Sequence, residues 1–263
     1  MKSLSEMLHH SRFKGFGLVS STYDQGRPGY PPEMEKWLRD KMLIRNATQV
    51  LDLGAGTGKF TRLLVDLNAR VTALDIEQSM LDQLNRNFPS GVSPLLGSAD
   101  AIPAPDSSFN AVVCAQSFHL FATVEAMHEI HRVLKPSGQL GLFWNIRDAS
   151  VDWVADLARI VDRYAGDRPR YYGEEWRRVL KEGLPKGYSP FEEMSWTHLH
   201  TGTPEDVIVK RIESISFIAA SPQKADIIAE VRELIARHPQ LAGKSSVSVP
   251  YKTLAVRTAK ILP

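Results

Sequence analysis

The stretch Gln49-Val50-Leu51-Asp52-Leu53-Gly54-Ala55-Gly56-Thr57-Gly58-Lys59-Phe60-Thr61 joins an apolar run to three alternating glycines and then turns amphipathic. It reads as a buried strand, a tight turn and the start of a helix. Residues without side chains at a strand end let a ligand come close to the backbone, and the N–H groups opening the next helix can hold its polar parts. The spacing is G-x-G-x-G. A dinucleotide fingerprint places its third glycine one residue later, and Gly58-Lys59-Phe60 lacks the Ser or Thr that completes a phosphate loop. A turn made only for packing has the same pattern, so the neighbouring segments decide between the two.

Downstream, Phe60, Leu63, Leu64 and Leu67 mark a helix face, and Arg70-Val71-Thr72-Ala73-Leu74-Asp75 is a short strand ending in an acid. Asp75 lies about 20 residues past the first glycine, where a carboxylate can accept hydrogen bonds from two ribose hydroxyls. A cap for a helix over Gln78 to Asn87 is the competing and compatible role, and the strand, turn, helix, strand and acid in register favour the ribose. Val92 to Leu96 reads as a third strand and Phe109 to Cys114 as a fourth, with Gly97-Ser98-Ala99-Asp100-Ala101-Ile102-Pro103 between them. The fourth strand ends in Ala115-Gln116-Ser117-Phe118-His119-Leu120-Phe121, polar and aromatic where an open α/β sheet binds ligands. A helix with Val124, Met127, Ile130, Val133 and Leu134 inward stops at Lys135-Pro136-Ser137-Gly138. Gln139 to Trp144 then forms a fifth strand, followed by Asn145-Ile146-Arg147-Asp148. This alternation predicts an α/β fold with a doubly wound parallel sheet.

The flanks are organised differently. Residues up to about Thr22 look like an arm, and Tyr23-Asp24-Gln25-Gly26-Arg27-Pro28-Gly29-Tyr30-Pro31-Pro32 is too rich in proline and glycine for a helix. Pro31 and Pro32 open a helix with Met34, Trp37, Leu38 and Met42 on one face, which assigns Trp37 to the core. From Asp148 to about Pro190 the pattern is helical, with Trp153, Tyr164, Tyr171, Tyr172 and Trp176 among mixed charges. Phe191 to His200 reads as a strand, Pro204 to Phe217 and Gln223 to His238 as helices, and Ser246 to Arg257 as a last strand. The expectation is one domain over 1–263. It comprises an N-terminal arm and helix (1–45), a cofactor-binding core (46–147), a helical insertion or lid (148–190) and a C-terminal completion of the sheet (191–263).

With 263 residues the chain can bury a sizeable core. Its net charge of +2 argues against a nucleic-acid partner or an anionic membrane. Cys114 is the single cysteine, so no internal disulfide forms, which suits a reducing compartment. Neither a signal-type apolar region nor a run approaching a membrane span is visible, and the expectation is a soluble, cytoplasmic protein. His128 and His131 are three apart, and His198 and His200 alternate on a strand, but no Cys or carboxylate set completes a metal site; none is expected. The arginines between Arg163 and Arg178 are balanced by Asp162, Asp167, Glu174, Glu175 and Glu182, as on a solvated face.

Together these residues resemble the class I S-adenosylmethionine-dependent methyltransferases, most closely a small-molecule branch that includes trans-aconitate-type enzymes. The resemblance is carried by Val50 to Asn145. It implies a Rossmann-like methyltransferase fold with a mostly parallel, seven-stranded sheet, helices on both faces and a helical insertion after the fifth strand. It also implies S-adenosyl-L-methionine as cofactor and S-adenosyl-L-homocysteine as product. In that family the segment matching Asp52, Gly54, Ala55, Gly56, Thr57 and Gly58 wraps the methionine part, and the acid matching Asp75 holds the ribose. Ile76 and Met80 would flank the adenine, Ser98, Ala99 and Asp100 would line its edge, and the Ala115-Gln116 backbone would run past the cofactor. Tyr23 and Arg27, in Tyr-x-x-x-Arg-Pro-x-Tyr-Pro, match N-terminal contacts. One departure stands out: the family often has Asp at the position of Ser98, so Asp100 or backbone groups would take over its bond.

The implied reaction is transfer of a sulfonium methyl to a small-molecule acceptor by in-line displacement, which mainly needs the acceptor held close and aligned. A phenol, alcohol or carbon acid would also benefit from a base, whereas a carboxylate or free amine would not. His119 is the candidate nearest the reacting methyl, as a base or as a substrate-orienting group; a packed, helix-terminal histidine is the alternative. Trp144, Asn145 and Arg147 at the fifth strand's end, and Tyr171, Tyr172 and Trp176 in the insertion, are candidates for the acceptor site. For Arg147 a surface ion pair, and for the aromatics a small core of their own, are the competing readings. Two other activities fit the same residues: a methyltransferase-like protein that catalyses a non-methylating reaction or only binds, and an NAD-dependent oxidoreductase, which the glycine spacing disfavours.

Overall fold

The computed structural model describes residues 26–166 and 175–261. It contains a seven-stranded sheet in the order β3-β2-β1-β4-β5-β7-β6. The strands are β1 Gln49–Leu53, β2 Arg70–Asp75, β3 Val92–Leu96, β4 Phe109–Ala115, β5 Leu134–Arg147, β6 Glu192–Gly202 and β7 Val247–Ala259. Four pairings are parallel: β1 with β2 and β4, β2 with β3, and β4 with β5. Chain order reverses between β1 and β4, and in open α/β sheets such a switch point opens a crevice at the strands' carboxyl ends. The glycine turn leaves β1 and the polar-aromatic segment leaves β4, so both face that crevice. In β1, Val50, Leu51, Asp52 and Leu53 are all buried, as a strand covered on both faces requires.

The described chain divides into two compact units. The larger comprises residues 30–145, 175–196 and 253–261, and holds β1 to β4 and most of β5. Its helices are α1 Glu33–Asp40, α2 Thr61–Asp66, α3 Gln78–Asn87, α4 Phe118–Phe121, α5 Val124–Val133 and α7 Glu175–Gly183. Met34, Trp37 and Leu38 of α1 meet Phe60 and Leu64 against Val50, Val113 and Phe143 of the sheet. Trp37 stands edge-on to Phe143 and Phe60 stacks on it, so the tryptophan is core as its spacing implies.

The smaller unit comprises residues 26–29, 146–166 and 197–252. Helix α6 (Asp152–Arg163) buries Trp153, Val154, Leu157, Ile160 and Val161 in a core shared with Ile227, Ile228, Val231 and Leu234 of α10 (Lys224–Arg237) and Tyr251 of β7. The stretch 148–190 thus supplies α6 and α7, which fall in different units.

Several boundaries differ from the sequence reading. The expected helix over Pro204 to Phe217 is broken into a π-helical turn Glu205–Val209, α8 Lys210–Glu213 and α9 Ser216–Ala219. Val207, Ile208 and Val209 are buried one after another. Successive helical residues fan out by about 100°, so three in a row need a wide buried arc rather than one stripe. The fifth strand runs from Leu134 rather than Gln139, because a register shift between Phe109 and Ala111 lets the Lys135–Gly138 segment stay in the ladder. Ser137 absorbs this at φ +64°. α4 follows β4 directly, a single turn that the apolar pattern of Phe118–Phe121 is too short to announce.

Candidate active site

The turn after β1 is built by backbone geometry that only glycine adopts cheaply. Gly54, Gly56 and Gly58 have φ of +77°, +58° and +92°. Two of them are also hemmed in: a Cβ on Gly54 would stand 2.6 Å from Ser117 Cβ, and one on Gly58 2.5 Å from Phe88 Cε2. Gly56 has no heavy atom within 4 Å of that point. The middle glycine therefore borders open space while its neighbours are packed, which is the arrangement a backbone cradle for a ligand needs. The turn is pinned from below by Gly54 N–H and Ala55 N–H donating to Leu74 O at 2.8 and 3.0 Å, and by Asn87 Nδ2 donating to Thr57 O at 2.8 Å.

Asp75 ties the turn to β2. Its Oδ2 accepts the Gly56 N–H at 2.8 Å and its Oδ1 the Glu77 N–H at 3.0 Å. The residue flanking α3 is Glu77, so Asp75 is not the helix cap. Each carboxylate oxygen has two lone pairs and spends one on these bonds, leaving acceptor capacity for a pair of hydroxyls. Burial raises the Asp75 carboxyl above its ordinary value, opposed by the backbone N–H groups of Glu77, Gly56 and Ile76.

Behind the turn, Asp52 is fully buried in β1. Thr61 Oγ1 donates to its Oδ2 at 2.6 Å, while Oδ1 is buried without a hydrogen-bond partner. Burial pushes its carboxyl up to about 7, with the Thr61 bond working against the rise and the charge of Asp75 adding to it. The same burial, with Asp52 as a further cause, lifts the Cys114 thiol well above its usual range.

The segment after β3 joins the same surface, because Gly97 N–H donates to Asp75 O at 3.1 Å. Ser98 is half-buried, Ala99 buried and Asp100 exposed. Ile76 is exposed beside Asp75, and Met80 is buried on the inner face of α3. Glu129 and Arg132, one turn apart on α5, hold the 97–106 loop: Glu129 Oε2 accepts the Ile102 N–H at 2.8 Å, and Arg132 donates to Ile102 O, Ala104 O and Asp106.

At the end of β4, Ala115 is half-buried, and Gln116 takes φ +61°, uncommon for a residue with a side chain. Its N–H donates to Phe143 O at 2.8 Å and its Nε2 to Asn145 O at 3.3 Å. Ser117 Oγ donates to Leu53 O at 2.8 Å, locking this segment to the residue before Gly54. His119 follows in α4, and its Nδ1 accepts the indole N–H of Trp144 at 3.2 Å. Trp144 is fully buried, and its ring lies 4.3 Å from that of Trp176. Asn145 Oδ1 accepts the Thr253 hydroxyl at 2.5 Å.

The structure brings Asp52, the three glycines, Asp75, Gly97 with the following Ser98 segment, Gln116, His119, Trp144, Asn145 and Trp176 into one unit. Arg147 and Arg27 belong to the other. There Arg27 donates from Nε to Ser214 Oγ at 3.3 Å and from Nη2 to Ser214 O at 3.0 Å. Tyr23, Tyr171 and Tyr172 lie outside the described residues. Thr61, Asn87, Ser117, Glu129 and Arg132 were missed by the sequence reading. Only the Glu129-x-x-Arg132 spacing carried a signal, that of an i,i+3 pair. Among the described residues no group of three or more His, Cys, Asp or Glu could hold a metal ion, and no helix is long and apolar enough to cross a membrane.

A glycine cradle at the sheet's switch point, bonded to an acid at the end of β2, places the chain among the doubly wound α/β proteins of Rossmann-like build. Comparison with known proteins narrows it. A methyltransferase domain model matches residues 50–138. A methyltransferase-like protein of Schizosaccharomyces pombe is 36% identical over 250 residues, covering 94% of this chain and 96% of that one. A malonyl-[acyl-carrier protein] O-methyltransferase of Methylococcus capsulatus is 36% identical over 121 residues, 44% of each chain. The fold matches that of a Haemonchus contortus phosphoethanolamine N-methyltransferase, solved with phosphomonomethylethanolamine and S-adenosylhomocysteine. That match has a TM-score of 0.56 at 14% identity, over 100% of this chain and 61% of that one. The chain belongs to the class I S-adenosylmethionine-dependent methyltransferase family.

Proposed function

We propose that this methyltransferase moves a methyl group from S-adenosyl-L-methionine to a small-molecule acceptor, mainly by holding the two in line. The observation that carries the reading is the Gly54–Gly58 turn, whose middle glycine borders open space and hands its N–H to Asp75. In this reading the turn, with Asp52 and Thr57, encloses the methionine part, and Asp75 takes the ribose hydroxyls. Ile76, Met80, Ser98, Ala99 and Asp100 surround the adenine, and the Ala115-Gln116 backbone runs alongside. Tyr23 and Arg27 are assigned to the cofactor on the resemblance alone. The cofactor supplies an already activated methyl, so the protein's task is alignment and exclusion of water, effects that can account for much of the rate. His119, Trp144, Asn145, Arg147, Tyr171, Tyr172 and Trp176 are assigned to the acceptor. The malonyl-[acyl-carrier protein] and phosphomonomethylethanolamine named with the two relatives favour an acceptor that carries an anionic group.

The test is a thermal shift with S-adenosylhomocysteine against NADH, followed by transfer of a labelled methyl group into metabolite fractions. Stabilisation by the first ligand alone, and label in a small molecule, are expected. Tight binding with no transfer to any fraction would refute methyl transfer, and stabilisation by NADH would refute the cofactor.

A further inference from the structure

Arg211, on α8 in the smaller unit, has two buried guanidinium nitrogens, Nε and Nη1, and neither meets a hydrogen-bond partner among the described residues. A guanidinium keeps its charge and can only donate, so it cannot escape the cost of burial by losing a proton. The acids of its own segment are engaged elsewhere: Glu205 pairs with Arg232 at 2.8 Å, Asp206 with Lys210 at 2.7 Å and Glu213 with Lys224 at 3.6 Å. A second guanidinium is held beside it. Arg27 donates to Ser214, whose hydroxyl in turn donates to Arg211 O at 2.8 Å. The chain reaches this place through Gly26, where a Cβ would collide with Arg211 N, so only a glycine lets the two backbones meet. The segment also enters α8 from the π-helical turn Glu205–Val209, an irregularity that recurs at functional sites.

From this we infer that Arg211, with Arg27 beside it, forms a binding site in the smaller unit for a small oxyanion, a carboxylate or a phosphate. The planar fork of N–H donors matches two oxygens carried on one carbon or phosphorus. Arg211 is half-buried rather than enclosed, so an ion from solvent can reach it, and its long stem lets the fork turn to receive it. An arginine that serves the fold alone bonds the fold's own oxygens, as Arg132 does with Ile102 O, Ala104 O and Glu129. The buried nitrogens of Arg211 have no such bonds. An anion brought from outside supplies the missing charge and the missing acceptors together. None of this depends on the methyl-transfer reading, because neither the glycine turn nor Asp75 enters it.

The experiment is thermal unfolding of the whole protein, without cofactor, in malonate, in inorganic phosphate and in sodium chloride at equal ionic strength. A ligand that binds only the folded chain raises the midpoint as its concentration rises. Malonate or phosphate should raise the wild-type midpoint beyond chloride. Arg211→Met, which keeps an unbranched stem and removes the charge, should show no excess over chloride. The larger wild-type response names the source, malonate for a carboxylate and phosphate for a phosphate group. Calorimetry with that probe should find at least tenfold weaker binding in Arg211→Lys, which keeps the charge and loses the fork. With no oxyanion present, Arg211→Met should melt no lower than the wild type, because an uncompensated charge has been removed. A wild type that responds to neither probe beyond chloride would overturn the inference with no variant needed. So would the same excess in Arg211→Met, undiminished binding in Arg211→Lys, or a lower midpoint for Arg211→Met without oxyanion, which would make the arginine a part of the fold. Binding or loss of S-adenosylhomocysteine bears on the proposed function alone and leaves these outcomes standing.

Discussion

Asp52 is a carboxyl that folding prefers to keep protonated. Its value rises from 3.8 in the unfolded chain to about 7 in the folded one. Between those values the folded state binds more protons than the unfolded, so the stability associated with this group is greatest below about pH 4 and declines until about pH 7. Asp52→Asn keeps the shape and cannot ionise. In urea unfolding its stability relative to the wild type should rise by roughly 2 to 3 kcal/mol between pH 5 and pH 8. An equal difference at both pH values would mean that Asp52 is not held protonated. Asp75, whose carboxyl burial also raises, serves binding instead, because its two hydrogen-bonded oxygens keep lone pairs for further donors. In Asp75→Ala, S-adenosylhomocysteine should bind roughly 10- to 100-fold more weakly by calorimetry, the worth of charge-assisted bonds to two hydroxyls. Unchanged affinity would leave Asp75 only the task of holding Gly56.

At the scale of elements, the glycine turn separates folding from binding within five residues. Gly58→Ala combines a φ of +92° with a clash on Phe88, so it should cost stability, about 1 to 3 kcal/mol by denaturant midpoint. Gly56→Ala meets open space and bears only the strain of its φ of +58°, so it should cost less stability than Gly58→Ala while losing cofactor affinity. The turn was legible because β1, the glycines and α2 are contiguous and periodic in sequence. Its supports were not. Arg132 grips the loop around Ile102 from 30 residues away, and Trp144 reaches His119 across 25, and no local period records such pairs. The helix expected over Pro204 to Phe217 failed for a related reason: buried branched residues at adjacent positions obey a packing demand from elsewhere in the chain, which overrides the helical stripe.

Across the whole molecule, the parallel pairing of β1 to β5 follows from strand and helix alternation, whereas the membership of residues after Asn145 does not. Trp153 and Trp176 read alike in sequence, as aromatics in a mixed-charge helical stretch. The first closes the core of one unit and the second lies against Trp144 in the other. Their partners, not their own spacing, distinguish them. A ligand that binds only the folded chain stabilises it by about 2.7 kcal/mol at 100 times its dissociation constant, and S-adenosylhomocysteine should do so in a concentration-dependent way.

Cys114 offers a means of reading that coupling. It is the chain's single thiol, wholly buried in β4 between β1 and β5, with its ionisation suppressed. A soluble disulfide reagent meets it only when the central strands part, so the rate of labelling clocks the opening of the sheet itself. Every molecule carries one such clock at the strand that ends beside the cofactor turn, and slowing of its rate would report occupancy of that turn without any acceptor being known.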